Sequence, residues 1–314
     1  MKSEREDIMT ETDLVTRDNV GNYAAMSKLM GVDNSTDDSE SKTSMLARVK
    51  IIHSPIMGMK KIDGEDTETV VVKAGSYCIQ MPDDIFVYGS KLKIRPFMQR
   101  YMYKKYIQST DMDTPGYFVK TVMADSLNSD LKDTSGGFNC GKPAGYIKDF
   151  KALSEDLQKV IKTIKRVRVI FGLATMENPI DQTGKKLSDI PIDIPVIFEV
   201  DNRTSFKTSG EPFNTLAKRK HLPIQHSIDF TTEAQEIATG AKYYTVLTKL
   251  DGKALDVSPE DAETLQSFLD WISNYNSYVL SSYDEKKGNN MSSEDIDMVD
   301  DFLGDAELPE IEVA

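Results

Sequence analysis

Residues 90–107 read SKLKIRPFMQRYMYKKYI, and the way this stretch alternates decides the fold. Taken with a period of two, its odd positions are Lys91, Lys93, Arg95, Phe97, Gln99, Tyr101, Tyr103 and Lys105, whereas its even positions begin Leu92, Ile94, Pro96 and Met98. Successive side chains of a strand point to opposite faces, so the pattern predicts a half-buried strand with one apolar face and one basic, aromatic face. Arg100 and Lys104 bring the window to six positive charges, and it contains no carboxylate. Pro96 marks a bulge or an edge, the position at which this register can break.

Further short strands surround it. MLARVKIIHSPIMGMKKI (45–62), TVVVKAGSYCIQM (69–81) and GYFVKTVMADSL (116–127) are separated by Asp-Gly and Asp-Thr-Pro-Gly turn signals. KRVRVIFGLATM (165–176) alternates through Val167, Val169, Phe171 and Leu173, and the polar DQTGKKLSD joins it to IPVIFEVD as a hairpin with an extended tip. QHSIDF and AKYYTVLTKLDG read as later strands. Ser154 caps a helix with Leu157, Val160, Ile161 and Ile164 at helical spacing, and EPFNTLAKRKHL suggests a second, short one. Ser258, Pro259 and Asp261 open a third, whose apolar stripe is Ala262, Leu265, Phe268, Leu269, Ile272, Tyr275 and Val279. The fold class is mainly β with helical insertions (α+β), a barrel or sandwich closed by a C-terminal helix.

Charge divides the chain. Its net charge is −13, yet residues 1–44 hold 10 acidic against 5 basic side chains and residues 284–314 hold 11 against 2, which leaves the middle near neutral. The predicted organisation is an acidic, mostly disordered arm (1–44) with a short helix around Asn19 to Met30, a β-rich core (45–257), a helix (258–283) and an acidic disordered tail (284–314). No apolar run approaches the roughly 20 residues of a membrane span, and the charged start MKSEREDIMTETD is unlike a signal peptide, so a cytoplasmic location is expected. Cys78 and Cys140 form no disulfide framework and are expected as free thiols.

GGFNCGKPAG (136–145) fits G-x-x-x-x-G-K, but Pro143 stands where a nucleotide loop has the Ser or Thr hydroxyl that binds magnesium. Polar LNSDLKDTS precedes it in place of a buried strand, and no helix follows until about Leu153. The motif therefore reads as a Gly-rich connection. Its Lys142 begins a second basic run through Lys148, Lys151, Lys159, Lys162, Lys165, Arg166 and Arg168, and Lys218, Arg219 and Lys220 form a third. His53, His221 and His226 have no zinc-site spacing, and no catalytic frame occurs, so no catalytic residue, metal or cofactor is expected.

Cations interleaved with rings suit single-stranded nucleic acid, the cations following phosphates and the rings stacking on bases. The residues nominated are Lys91, Lys93, Arg95, Phe97, Arg100, Tyr101, Tyr103, Lys105, Lys142, Arg166 and Arg168. A half-buried strand with packed tyrosines and solubilising lysines is the alternative. In the tail, SSEDIDMVDDFLGDAELPEIEVA spaces Ile296, Met298, Val299, Phe302, Leu303, Leu308 and Ile311 among acids, which suggests docking on a partner. Asp300, Asp301, Phe302 and Leu303 are its centre.

With YGSKLKIRP in a basic, aromatic strand and MVDDFLGD in an acidic tail, the chain resembles the single-stranded DNA-binding proteins of bacteriophages. The tail departs from that pattern by continuing past Phe302 to PEIEVA. The resemblance implies an OB-like antiparallel barrel, single-stranded DNA as ligand, replication or recombination proteins as tail partners, and the host cytoplasm as location. A virion, assembly or adaptor protein that docks through its tail is the competing reading. Tyr101 and Tyr103 exposed in a positive groove favour the first, and the same rings buried favour the second.

Overall fold

A computed structural model of the chain describes residues 46–62, 65–109, 115–188, 190, 193–237 and 239–288. They belong to one unit, Ser44–Ala314; the expected N-terminal arm and nearly all of the tail lie outside them. The strands are β1 (Ala47–Ile51), β2 (Ile56–Ile62), β3 (Glu65–Val72), β4 (Tyr77–Gln80), β5 (Phe86–Gly89), β6 (Lys91–Ile107), β7 (Tyr117–Lys120), β8 (Ile164–Glu177), β9 (Ile194–Val200), β10 (Ile228–Glu236) and β11 (Lys242–Leu250). The helices are α1 (Glu155–Thr163), α2 (Arg203–Thr208), α3 (Glu211–Arg219) and α4 (Pro259–Gly288).

Sheet dominates, as expected. Among the described residues one sheet runs in the order β11-β10-β6-β8-β9-β1-β4-β5, with β7 on the outer part of β6, while β2 and β3 form a separate hairpin. All pairs are antiparallel except β1 with β9, where Ala47, Arg48 and Val49 lie beside Val196, Ile197 and Phe198. The ladder ends at β11 and β5 with no pairing between them among the described residues, so backbone hydrogen bonds do not close a barrel. The sheet nevertheless curls. The Tyr77 hydroxyl in β4 donates to Thr231 O in β10 (3.0 Å), and Thr232 Oγ1 donates to Gly75 O (2.6 Å), bringing strands far apart in the order into contact.

Two apolar clusters lie on opposite faces. Tyr77, Ile79, Leu92, Ile94, Ile170, Val196, Phe198, Phe230 and Val246 fill the inside of the curl, with Phe213 of α3 among them. Met102, Val167, Val169, Phe171 and Ile197 face the other way and meet Phe268, Ile272, Tyr275 and Val279 of α4. Asn276 ties the helix down, accepting from Met123 N–H (2.7 Å) and donating to Met123 O (3.0 Å). Asp261 accepts from Ser258 N–H (2.8 Å), the capping contact expected there. Two details differ from the sequence expectation: Ala262 and Leu269 of the predicted stripe are exposed, and the helix continues through Asp284 to Gly288, into the expected tail.

The decisive local feature is a bulge in β6. Pro96 is opposite Gly172 and Met98 opposite Phe171, so Phe97 is an extra residue. An extra residue reverses which face each later side chain occupies. Pro96 is tolerated because β10 pairs only with Leu92–Ile94 and β7 only with Lys104–Ile107, leaving β8 as the ladder partner at the proline. Gly172 is required for the close approach: a Cβ there would lie 2.5 Å from Arg95 O.

The outer edge of β11 is covered by side chains. Val246 N–H donates to Ser205 Oγ of α2 (3.0 Å), Thr208 Oγ1 donates to Val246 O (2.6 Å), and Tyr244 N–H donates to His53 Nδ1 (3.3 Å).

Candidate nucleic-acid interface

The Gly-rich loop after β7 is organised around a carboxylate. Asp133 is fully buried and accepts from Ser135 N–H (2.9 Å), the Ser135 hydroxyl, Gly137 N–H (3.2 Å) and Cys140 N–H (2.8 Å). Asn139 adds to this, its side chain accepting from Leu131 N–H (2.9 Å) and donating to Asp130 (2.8 Å). The N–H groups that a nucleotide loop would turn toward phosphate are thus taken by the protein. Lys142 Nζ binds the carbonyls of Pro143 (2.8 Å) and Gly145 (3.0 Å), and no helix follows until α1.

On the α4 side of β6, the nominated cations are neutralised. Lys91 pairs with Glu177 (3.1 Å), and Lys93 with Asp229 (3.5 Å) and Asp251 (3.2 Å). Donating a hydrogen bond to the Asp251 carboxylate pushes the Lys93 pKa up. Arg95 forms two bonds to Asp261 (2.9 and 2.7 Å) and also donates to Ile224 O (2.7 Å) and Asp256 O (3.0 Å). Phe97 is buried against Phe268, ring centroids 5.5 Å apart, and Arg100 pairs with Asp125 (2.9 Å). The single basic, aromatic face expected over 91–105 is therefore split. Lys91, Lys93, Arg95, Phe97 and Arg100 share the α4 side, because the bulge sends Tyr101, Tyr103 and Lys105 to the other.

Beyond the bulge, the remaining nominated residues converge. Tyr101 lies opposite Arg168, Tyr103 opposite Arg166 and Lys105 opposite Ile164, so their side chains share a face. Arg168 is buried there; it donates to the Tyr101 hydroxyl (3.0 Å), to the Gln99 side chain and to Phe206 O (3.2 Å), with its guanidinium 5.1 Å from the Tyr101 ring and 4.7 Å from that of Phe206. Arg166 is exposed over Phe206 at 5.4 Å, and Lys142 reaches over Tyr103 at 5.4 Å. Burial pushes the Lys142 pKa down, and the positive charge of Arg166 adds to that. Among the described residues, Lys105, Lys142 and Arg166 form no salt bridge.

The rings are less open than the sequence suggested. Tyr103 is buried in a small cluster with Val119, Leu131 and Cys140, its hydroxyl donating to Leu127 O (3.2 Å), and Tyr101 is half-buried beneath Arg168. They seat cations instead of presenting free faces. Two rings missed earlier are more accessible: Phe206 is half-buried, and Tyr146 is 86% exposed next to Gly145. Phe206 lies on α2, too short for a periodic signal, although Asn202 announces it by accepting from Thr204 and Ser205 N–H (3.0 and 3.1 Å).

Lys218, Arg219 and Lys220 are exposed at the end of α3, and Asp300, Asp301, Phe302 and Leu303 lie outside the described residues. His221 Nδ1 and His226 Nε2 are 3.1 Å apart, yet no group of three or more metal-binding side chains occurs among the described residues. Cys78 and Cys140 are free and buried. No described helix is long and apolar enough to cross a membrane. Compared with known proteins, the chain matches no family model, no curated protein and no solved structure.

Proposed function

We propose that the chain is a sequence-tolerant single-stranded DNA-binding protein acting in replication or recombination, with its contact on the face beyond the bulge. One observation carries this reading: Lys105, Lys142 and Arg166 share that face without a salt bridge among the described residues, whereas Lys91, Lys93, Arg95 and Arg100 are each matched by an acid. Unneutralised cations gathered on one face bind phosphates whatever the base sequence. Arg168, Tyr101 and Tyr103 support them from below, while Phe206 and Tyr146 offer ring surface to bases. On the same reading the curled sheet is an OB-like barrel, with side chains bridging β10 to β4 and to Gly75 just before it. The acidic tail, with Asp300, Asp301, Phe302 and Leu303, recruits partner proteins in the host cytoplasm. The buried ring of Tyr103 favours a second reading, an adaptor that docks through its tail, and this predicts stable protein complexes without oligonucleotide affinity.

A salt titration of fluorescent oligo-dT binding separates the two, using the full chain and a chain ending at Gly288. Binding at low salt should weaken steeply as salt rises. Replacing Lys105, Lys142 and Arg166 together by alanine should reduce the logarithmic salt slope by about 2, from about 0.7 per phosphate on single strands. Lys91→Ala with Lys93→Ala should leave it unchanged. Absence of binding at low salt by both chains would end the reading.

A further inference from the structure

Lys142 stands at one end of the Gly-rich loop; at the other end a second cationic surface forms against α4. Lys132 Nζ lies 4.5 Å from the centre of the Tyr283 ring, and Lys287 Nζ lies 5.7 Å from the same ring. Lys286 Nζ lies 5.7 Å from the Tyr117 ring. Phe138, with its ring 5.5 Å from Tyr283, is 44% exposed at the rim. The loop sits tightly on the last turn of α4: Gly136 has φ +81°, and a Cβ there would be 3.1 Å from Lys286 Cβ.

None of the three lysines forms a salt bridge among the described residues. Burial pushes the Lys286 pKa down, with the carboxylates of Asp133 and Glu285 pulling the other way. Favourable interaction with the C-terminal end of the helix accounts for Lys286 and Lys287. It does not account for Lys132, which arrives from a separate element and converges on the ring that Lys287 covers. Gathering like charges around one buried and one half-buried ring costs energy that a bound polyanion returns.

We propose that Lys132, Lys286 and Lys287 bind the phosphodiester backbone of the same single strand, with Phe138 stacking on a base. The strand then passes over exposed Ser135 and half-buried Gly136 and Gly137, which lie between Lys132 and Lys142 along the chain. This rests on the nucleic-acid reading above and extends it, making the loop the middle of the binding track.

The test compares oligo-dT of about 6 and about 30 nucleotides, one near the low end of the roughly 4–16 nucleotides that a single fold covers and one well beyond it. The full chain carries Lys132→Gln, Lys286→Gln and Lys287→Gln, which keep the side-chain stems on the rings; circular dichroism and urea unfolding verify the fold. Three lost phosphate contacts should weaken the long oligonucleotide on the order of 100-fold at 0.1 M salt and reduce its salt slope by about 2. Affinity for the short one should change less than about twofold. Phe138→Ser should weaken the long oligonucleotide alone. Unchanged long-oligonucleotide affinity, with loss confined to the Lys105, Lys142 and Arg166 variant, overturns this inference and leaves the nucleic-acid reading standing. Equal loss for both lengths overturns the crossing path, and polyglutamate binding as tight as oligo-dT reassigns the surface to an acidic peptide. If the parent protein binds neither length, both readings fall.

Discussion

Replacing Asp133 by alanine tests the idea that a buried carboxylate shapes the Gly-rich loop. Four donors converge on it, and of these the Cys140 N–H is buried, while the two Ser135 donors and the Gly137 N–H are partly accessible. In the variant the Cys140 N–H stays unpaired at about 1–3 kcal/mol, and each of the others recovers water at a net loss of about 1 kcal/mol or less. The expected loss is about 1–6 kcal/mol with a centre near 3–4, a large share of the roughly 5–15 kcal/mol that holds a typical protein folded. Trp271 of α4 is the chain's single tryptophan, so urea unfolding followed by its fluorescence reads this directly. Asp133→Asn should recover only part, because an amide can direct one oxygen at the donors and must place N–H groups against the rest. Oligo-dT affinity should fall as well, since Lys142 and Lys132 lose their anchorage. A loss below about 1 kcal/mol would show that the glycines and backbone bonds hold the loop without the carboxylate.

Gly172→Ala should destabilise by about 1–3 kcal/mol in thermal or urea unfolding, because the new methyl meets Arg95 O and the Pro96 backbone, which cannot move aside. The Arg95–Asp261 pair is largely withdrawn from solvent, so Asp261→Asn alone should cost about 3–5 kcal/mol, and a double-mutant cycle with Arg95→Met should show the double variant losing less than the sum of the singles. Burial pushes the Cys78 thiol up to about 11 and Cys140 well above its ordinary value. Because the folded state holds these protons more tightly than the unfolded chain, their contribution is complete below about pH 8.5 and is lost as pH rises toward 11. Cys78→Ala should flatten that alkaline decline by on the order of 2–3 kcal/mol, and neither thiol should react with Ellman's reagent at pH 8 until the chain unfolds.

The features that sequence reading captured are local ones. Alternation in 165–176 gave β8, Asp261 three residues after Ser258 gave the start of α4, and the polar flanks of GGFNCGKPAG marked it as a connection with no helix directly after it. Pro96 also marked the place where the register could fail, but not the direction of the change. The bulge opposite Gly172 depends on how β6 aligns with a strand some seventy residues away. The acids that neutralise Lys91, Lys93 and Arg95 are Glu177, Asp229, Asp251 and Asp261, all remote along the chain, so a window without a carboxylate looked cationic when its folded surroundings are not. The ring of Phe206 and the parallel pairing of β1 with β9 likewise arise from contacts that no local period encodes.

Helix α2 covers the β11 edge through Ser205 and Thr208, and between them it carries Phe206, whose ring seats Arg166 and Arg168. One short helix therefore serves both as the guard against strand-to-strand aggregation and as a wall of the candidate site. Natural variation that loosens this helix would meet two penalties at once, loss of ligand and self-association through a bared edge. An engineer aiming to retune the site should leave Ser205 and Thr208 in place and work from the β6 side, where side chains can be exchanged without uncovering backbone.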